Sequence, residues 1–84
     1  MSVALERILL VTSDHDISNI IIRQSLMPFG YQVNHVERSS EAIRAAIQND
    51  PDLIIADLNL PDLSGKDLLV ALSSRGIETP LIVL

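Results

Sequence analysis

The chain has 84 residues, enough for one domain. Apolar residues make up 48% of it and aromatics 2%, which argues against disorder and makes any core aliphatic. The net charge is −5, and the six basic residues (Arg7, Arg23, Arg38, Arg44, Lys66, Arg75) are scattered, so the clustered cations of a nucleic-acid surface are missing.

Taken in chain order, Ile8 to Val11 is a short, wholly apolar run that stops at Thr12-Ser13-Asp14. A run apolar on both faces predicts a central parallel strand. Asp14 or Asp16 is placed to cap a following helix, whose apolar stripe includes Ile17, Ile20, Ile21 and Leu26 and ends near Pro28 and Gly30. Tyr31 to Val36 reads as a second strand. Ser39 or Ser40 is expected to cap a second helix with a stripe of Ala42, Ile43, Ala46 and Ile47, broken at Asn49-Asp50-Pro51. Leu53 to Ala56 is a third strand ending at Asp57, and Leu58 to Ser64 is a loop. A third helix runs from Gly65 with Leu68, Leu69 and Leu72 and stops at Gly76, and Leu81 to Leu84 is a fourth strand, expected to be buried.

The order is βαβαβαβ, which predicts an α/β fold: a parallel sheet covered by helices on both faces and joined by right-handed crossovers. Cysteine is absent, which excludes disulfides and fits a reducing compartment. No signal-peptide pattern opens the chain, and no apolar run approaches the ~18 residues of a membrane span. The expectation is a cytoplasmic protein without a nucleic-acid or membrane partner.

Ligands of open parallel sheets bind beyond the carboxyl ends of the strands. Two strands here end in polar clusters, Thr12-Ser13-Asp14 and Asp57-Leu58-Asn59, which face each other if the first and third strands are neighbours. Otherwise both clusters are turn and cap residues. Asp57 directly follows four apolar residues, so its carboxylate sits at the rim of the core. Such a carboxylate can act as a nucleophile forming an acyl phosphate, or as a ligand for Mg²⁺.

The segment from Pro51 to Leu69 resembles the receiver domain of two-component response regulators: Asp57, Pro61 and Gly65 match the family's D-x-x-x-P-x-x-x-G pattern. Arg7 to Val11, and Gly30 to Val33 leading to Ser40-Glu41-Ala42, are similar to the corresponding family segments. The resemblance implies a flavodoxin-like three-layer α/β/α fold with strand order 2-1-3-4. It implies a cytoplasmic signalling module rather than an enzyme, with Asp57 accepting phosphate from a sensor histidine kinase or phosphotransfer protein. Asp57 and the backbone carbonyl of Asn59 would ligate Mg²⁺. A covalently linked output domain is expected in the parent protein.

Two departures from the family accompany the match. The acidic pair that normally ends the first strand and helps hold Mg²⁺ is replaced by Thr12 and Ser13. Asp14, one place beyond, is a substitute ligand or only a helix cap, and Ser13 offers an uncharged hydroxyl. Weakened Mg²⁺ binding is therefore expected. The chain also ends at the fourth strand, so residues 1–84 are expected to form a single, incomplete receiver domain lacking the family's last helix-strand-helix. A rival reading is a pseudo-receiver that keeps the fold for protein–protein contact without phosphate chemistry. A cobalamin-binding domain fits worse, because Ser13 stands where its Asp-x-His loop needs Asp, and the later Gly is absent. His15 is expected to be an exposed first-turn residue, His35 has no assigned role, and Asp52 and Asp62 read as solvated loop residues.

Overall fold

The computed structural model describes residues 7–57 and 60–84. Four strands, β1 (Arg7–Val11), β2 (Gln32–Val36), β3 (Leu53–Ala56) and β4 (Leu81–Val83), form one parallel sheet in the order β2-β1-β3-β4. The expected fold and strand order are therefore observed. β1 and β3 are neighbours, with Val11 opposite Ala56, so their carboxyl ends are level.

Three helices connect the strands: α1 (His15–Ile20), α2 (Ser39–Asn49) and α3 (Gly65–Ser74). α1 does not end at Ile20. It widens into a π-helix, Ile21–Leu26, and closes with a 3₁₀ turn at Met27–Phe29 before Gly30 takes φ 84°. Long π segments are uncommon, and the sequence pattern alone indicated an ordinary helix here.

Side chains alternate along a strand. Leu9, Val11, Ile54 and Ala56 face α2 and α3, where they join Ala42, Ala45, Ala46, Leu68 and Leu72 in the main core. Leu10 is opposite His35 on β2 and shares its face. The His35 ring lies edge-on to that of His15, with centroids 6.4 Å apart, so α1 begins on the other side of the sheet.

The stripe of α2 is as expected at Ala42 and Ala46, which are buried, and at Ile43, which packs partly buried against the core, but it takes in Ala45 while Ile47 is 61% exposed. With alanines at the centre of this face and Ile43 at its margin, little side-chain bulk separates the helix backbone from the sheet. On α3 Gly65, Leu68 and Leu72 are buried and Leu69 is turned largely outward, and β4, expected to be buried, lies at the sheet edge with Ile82 and Val83 exposed.

The capping of α2 also differs. Its N-cap is Arg38, which makes no side-chain cap bond, and Ser39 and Ser40 already belong to the first turn. Their N–H groups donate instead to the carboxylate of Asp62, at 2.8 and 3.1 Å, from the loop before α3. Leu63 N–H donates to the same carboxylate at 3.1 Å, and the buried Ser39 hydroxyl donates to Leu63 C=O at 3.2 Å. Asp62 is solvent-exposed yet tethered, and it sits where the helix dipole favours a negative charge. The Ser39 N–H above all holds its carboxyl well below the usual carboxylate range, with Ser40 adding to the effect.

A depressed folded-state pKa contributes stability that is complete above the ordinary value of 3.8 and falls away as pH drops through the folded-state value. Asp62→Ala is accordingly expected to cost about 1 kcal/mol at neutral pH, the usual worth of a helix cap, moderated by solvent screening. The deficit should shrink steadily below the ordinary carboxylate pKa. Urea unfolding of both proteins at neutral and acid pH measures the difference. A deficit that does not change with pH would rule out the charged cap.

Candidate functional site

The polar ends of β1 and β3 meet as their register requires. Asp57 N–H donates to Val11 C=O at 2.8 Å, which extends the β1–β3 ladder by one residue and fixes where the Asp57 side chain emerges. That side chain is half-buried. Beside it lies Thr12, fully buried, whose hydroxyl donates to Asp57 Oδ2 at 3.2 Å.

Thr12 is held from every side. Its N–H donates to Val36 C=O at 3.0 Å and continues the β1–β2 ladder. Its carbonyl accepts from His35 Nε2 at 2.9 Å. A carbonyl can only accept, so Nε2 carries a proton. The Thr12 hydroxyl also accepts from Asp14 N–H at 3.1 Å. The sequence alone does not reveal this arrangement: there Thr12 counts only as a lost charge and His35 has no role. A polar residue directly ending a buried strand was the available signal.

Asp14 is the N-cap of α1. Its Oδ1 accepts from Asp16 N–H at 3.0 Å and Ile17 N–H at 3.1 Å. Ser13 is exposed at the rim. His15 is also exposed and pairs with Glu37 through Nε2 at 2.9 Å. Asn59, the expected carbonyl ligand, lies outside the described residues. Asp52, read as solvated, accepts from Arg7 N–H at 2.8 Å and ties the start of β1 to that of β3.

Among the described residues no group of three or more His, Cys, Asp or Glu could hold a metal ion. Asp57 supplies one carboxylate, already sharing Oδ2 with a hydroxyl, and Asp14 has an oxygen committed to its helix. Mg²⁺ needs near-octahedral oxygen ligation and sheds water reluctantly, so a second ionised oxygen close by matters.

A cleft of about 650 Å³ lies at the opposite, amino end of the sheet, lined by residues including Arg7, Ile22, Met27, Tyr31, Gln32 and Asn49. It is remote from Asp57 and from the strand ends where this class of sheet binds ligands. Among the described residues no helix is long and apolar enough to cross a membrane.

Residues 8–84 match the family described as the response regulator receiver domain. Over 62 residues (74% of the chain) the sequence is 39% identical to the regulatory protein LuxO of Vibrio vulnificus. Over 64 residues (75% of the chain) it is 45% identical to the transcriptional regulatory protein KdpE of Mycobacterium tuberculosis. These matches span 14% and 27% of the respective relatives, so the chain corresponds to only part of each. The crystal structure of the signal receiver domain of a putative LuxO repressor protein from Vibrio parahaemolyticus superposes with a TM-score of 0.83 at 36% identity. That match covers 93% of this chain and 59% of the solved one.

Proposed function

The chain belongs to the response regulator receiver domain family, and from that premise we propose that it is a phosphoacceptor module whose acceptor is Asp57. The observation that carries this reading is the placement of Asp57. It is a half-buried carboxylate at the carboxyl end of β3, locked in register by its bond to Val11 and level with the polar end of β1. A carboxylate oxygen attacks the phosphorus of a phosphohistidine on a sensor kinase or phosphotransfer protein. The P–N bond breaks, its electron pair stays on the imidazole, and an acyl phosphate forms on Asp57. The module is regulatory rather than metabolic, and an output domain in the parent protein would read the phosphorylated state.

Receiver domains generally bind Mg²⁺ at an acidic pocket. In this chain the affinity is proposed to be weak, because Thr12 and Ser13 stand in place of the acidic pair and Asp14 serves as a cap. Phosphorylation is correspondingly slow. The same residues support a second reading, a pseudo-receiver that uses the fold for protein contact alone.

Incubation with acetyl phosphate and excess Mg²⁺, followed by intact-mass analysis, separates the two. The acceptor reading expects a phosphate adduct that disappears in Asp57→Ala while the variant stays folded. An adduct that persists in Asp57→Ala, or none on the wild type with acetyl phosphate or with a kinase donor, would overturn it.

A further inference from the structure

We propose that Thr12 is a positioning residue that shortens the lifetime of phosphorylated Asp57; the inference rests on Asp57 being the acceptor. Thr12 is fully buried, and each of its polar groups is engaged. Because its hydroxyl oxygen already accepts from Asp14 N–H, its proton is directed at Asp57 Oδ2. A carboxylate can only accept, so the direction of that bond is fixed. His35 anchors the same residue by its carbonyl. The hydroxyl therefore needs no reorganisation when charge appears beside it.

Charge does appear there when the acyl phosphate hydrolyses. The oxygen of a water molecule bonds to phosphorus, the P–O bond to Asp57 breaks, and its electron pair returns to the carboxylate. Both water protons leave on inorganic phosphate, released as H₂PO₄⁻. With phosphate carried on Oδ1, the Asp57 oxygen facing Thr12 is a neutral acyl carbonyl before the step. As the bond breaks, that oxygen takes a share of the negative charge. A hydrogen bond to an ionised acceptor is roughly twice as strong as one to a neutral acceptor. A fixed donor aimed at developing charge lowers the barrier, on the same logic as an oxyanion hole. The difference between the two bond strengths corresponds to about a fivefold change in rate. Where the family's acidic pair would place carboxylates, this chain places a hydroxyl that favours return to the free carboxylate.

The test measures decay of the aspartyl phosphate in the full protein after removal of donor, in EDTA, for wild type and two variants. Thr12→Val keeps the size and removes the hydroxyl. Thr12→Ser keeps the hydroxyl. The expected result is an aspartyl phosphate about fivefold longer-lived in Thr12→Val and within about twofold of wild type in Thr12→Ser. The Asp57 carboxyl ¹³C resonance of the free protein should also shift in Thr12→Val and return toward the wild-type position in Thr12→Ser. A role in packing alone would not produce that pattern of rescue. Decay in Thr12→Val at the wild-type rate or faster overturns the inference and leaves Asp57 as the acceptor. Wild type that never takes phosphate overturns the acceptor reading itself, and this inference with it. If Thr12→Val does not fold, Thr12→Cys, a weak donor of similar size, supplies the comparison, with an intermediate lifetime expected.

Discussion

Restoring carboxylates at the end of β1 is expected to raise Mg²⁺ affinity by about 10-fold for Ser13→Asp and up to ~100-fold for the pair Thr12→Asp, Ser13→Asp. At an effective dielectric near 20, a unit charge about 5 Å from a dication contributes on the order of several kcal/mol before desolvation, and partial dehydration of the ion offsets much of that. The two positions differ in what they demand. Ser13 is exposed, so a carboxylate there stays hydrated and disturbs no packing. Thr12 is fully buried beside Asp57, so a second carboxylate at that position brings like charges together in a site shielded from water. The double variant should therefore be less stable than wild type without metal, and Mg²⁺ should recover much of the loss, because a ligand that binds only the folded state stabilises it. Titration by calorimetry or NMR, with thermal unfolding in EDTA and in excess Mg²⁺, measures both effects. Affinity in Ser13→Asp equal to that of wild type would remove the electrostatic explanation.

The sequence revealed the elements more readily than their interactions. Continuous apolar runs identified β1 and β3 as central strands, and Asp57 was marked by its place after one of them and by the spacing to Pro61 and Gly65. These are local signals. The contacts that define the site are not local. Thr12 and Asp57 are 45 positions apart, and Asp62 reaches the N–H groups of Ser39 and Ser40 from 23 and 22 positions away. A propensity argument gives the cap of α2 to its own serines, because serine is a good cap in isolation. The fold instead buries Ser39 and brings a full carboxylate to the same N–H groups. The α2 stripe departs from the sequence pattern at Ala45 and Ile47 for a related reason. Hydropathy favours burying Ile47 over Ala45, yet the close approach of helix to sheet selects the smaller side chain. Asp14 is the counter-example: its two bonds are to the first turn of the helix it precedes, so sequence spacing was enough to raise its role as a cap.

That close approach sets the largest stability effect expected of a single substitution. Ile54→Ala should destabilise the fold by about 3–5 kcal/mol, in the upper part of the range for isoleucine truncation in a core. Ile54 is wholly buried on β3, between β1 and β4, in the cluster that includes Leu9, Leu68 and Leu72. The cost of such a truncation depends on whether neighbours can fill the space. On the α2 side the buried members of the cluster are Ala42, Ala45 and Ala46, which have no length to extend into a void, and the longer Ile43 packs only at the margin of the core. Movement of the α2 backbone is restrained at its start by the bonds to Asp62. The cavity therefore persists. A domain of this size has on the order of 4–13 kcal/mol to lose, so the variant sits near the limit of folding. Val70→Ala, at a position 67% exposed on α3, removes apolar atoms that are already largely in water and should cost less than ~0.5 kcal/mol. Urea unfolding of the two variants beside wild type reads the contrast directly. A cost for Ile54→Ala below about 1.5 kcal/mol would mean that α2 settles onto the sheet and closes the cavity.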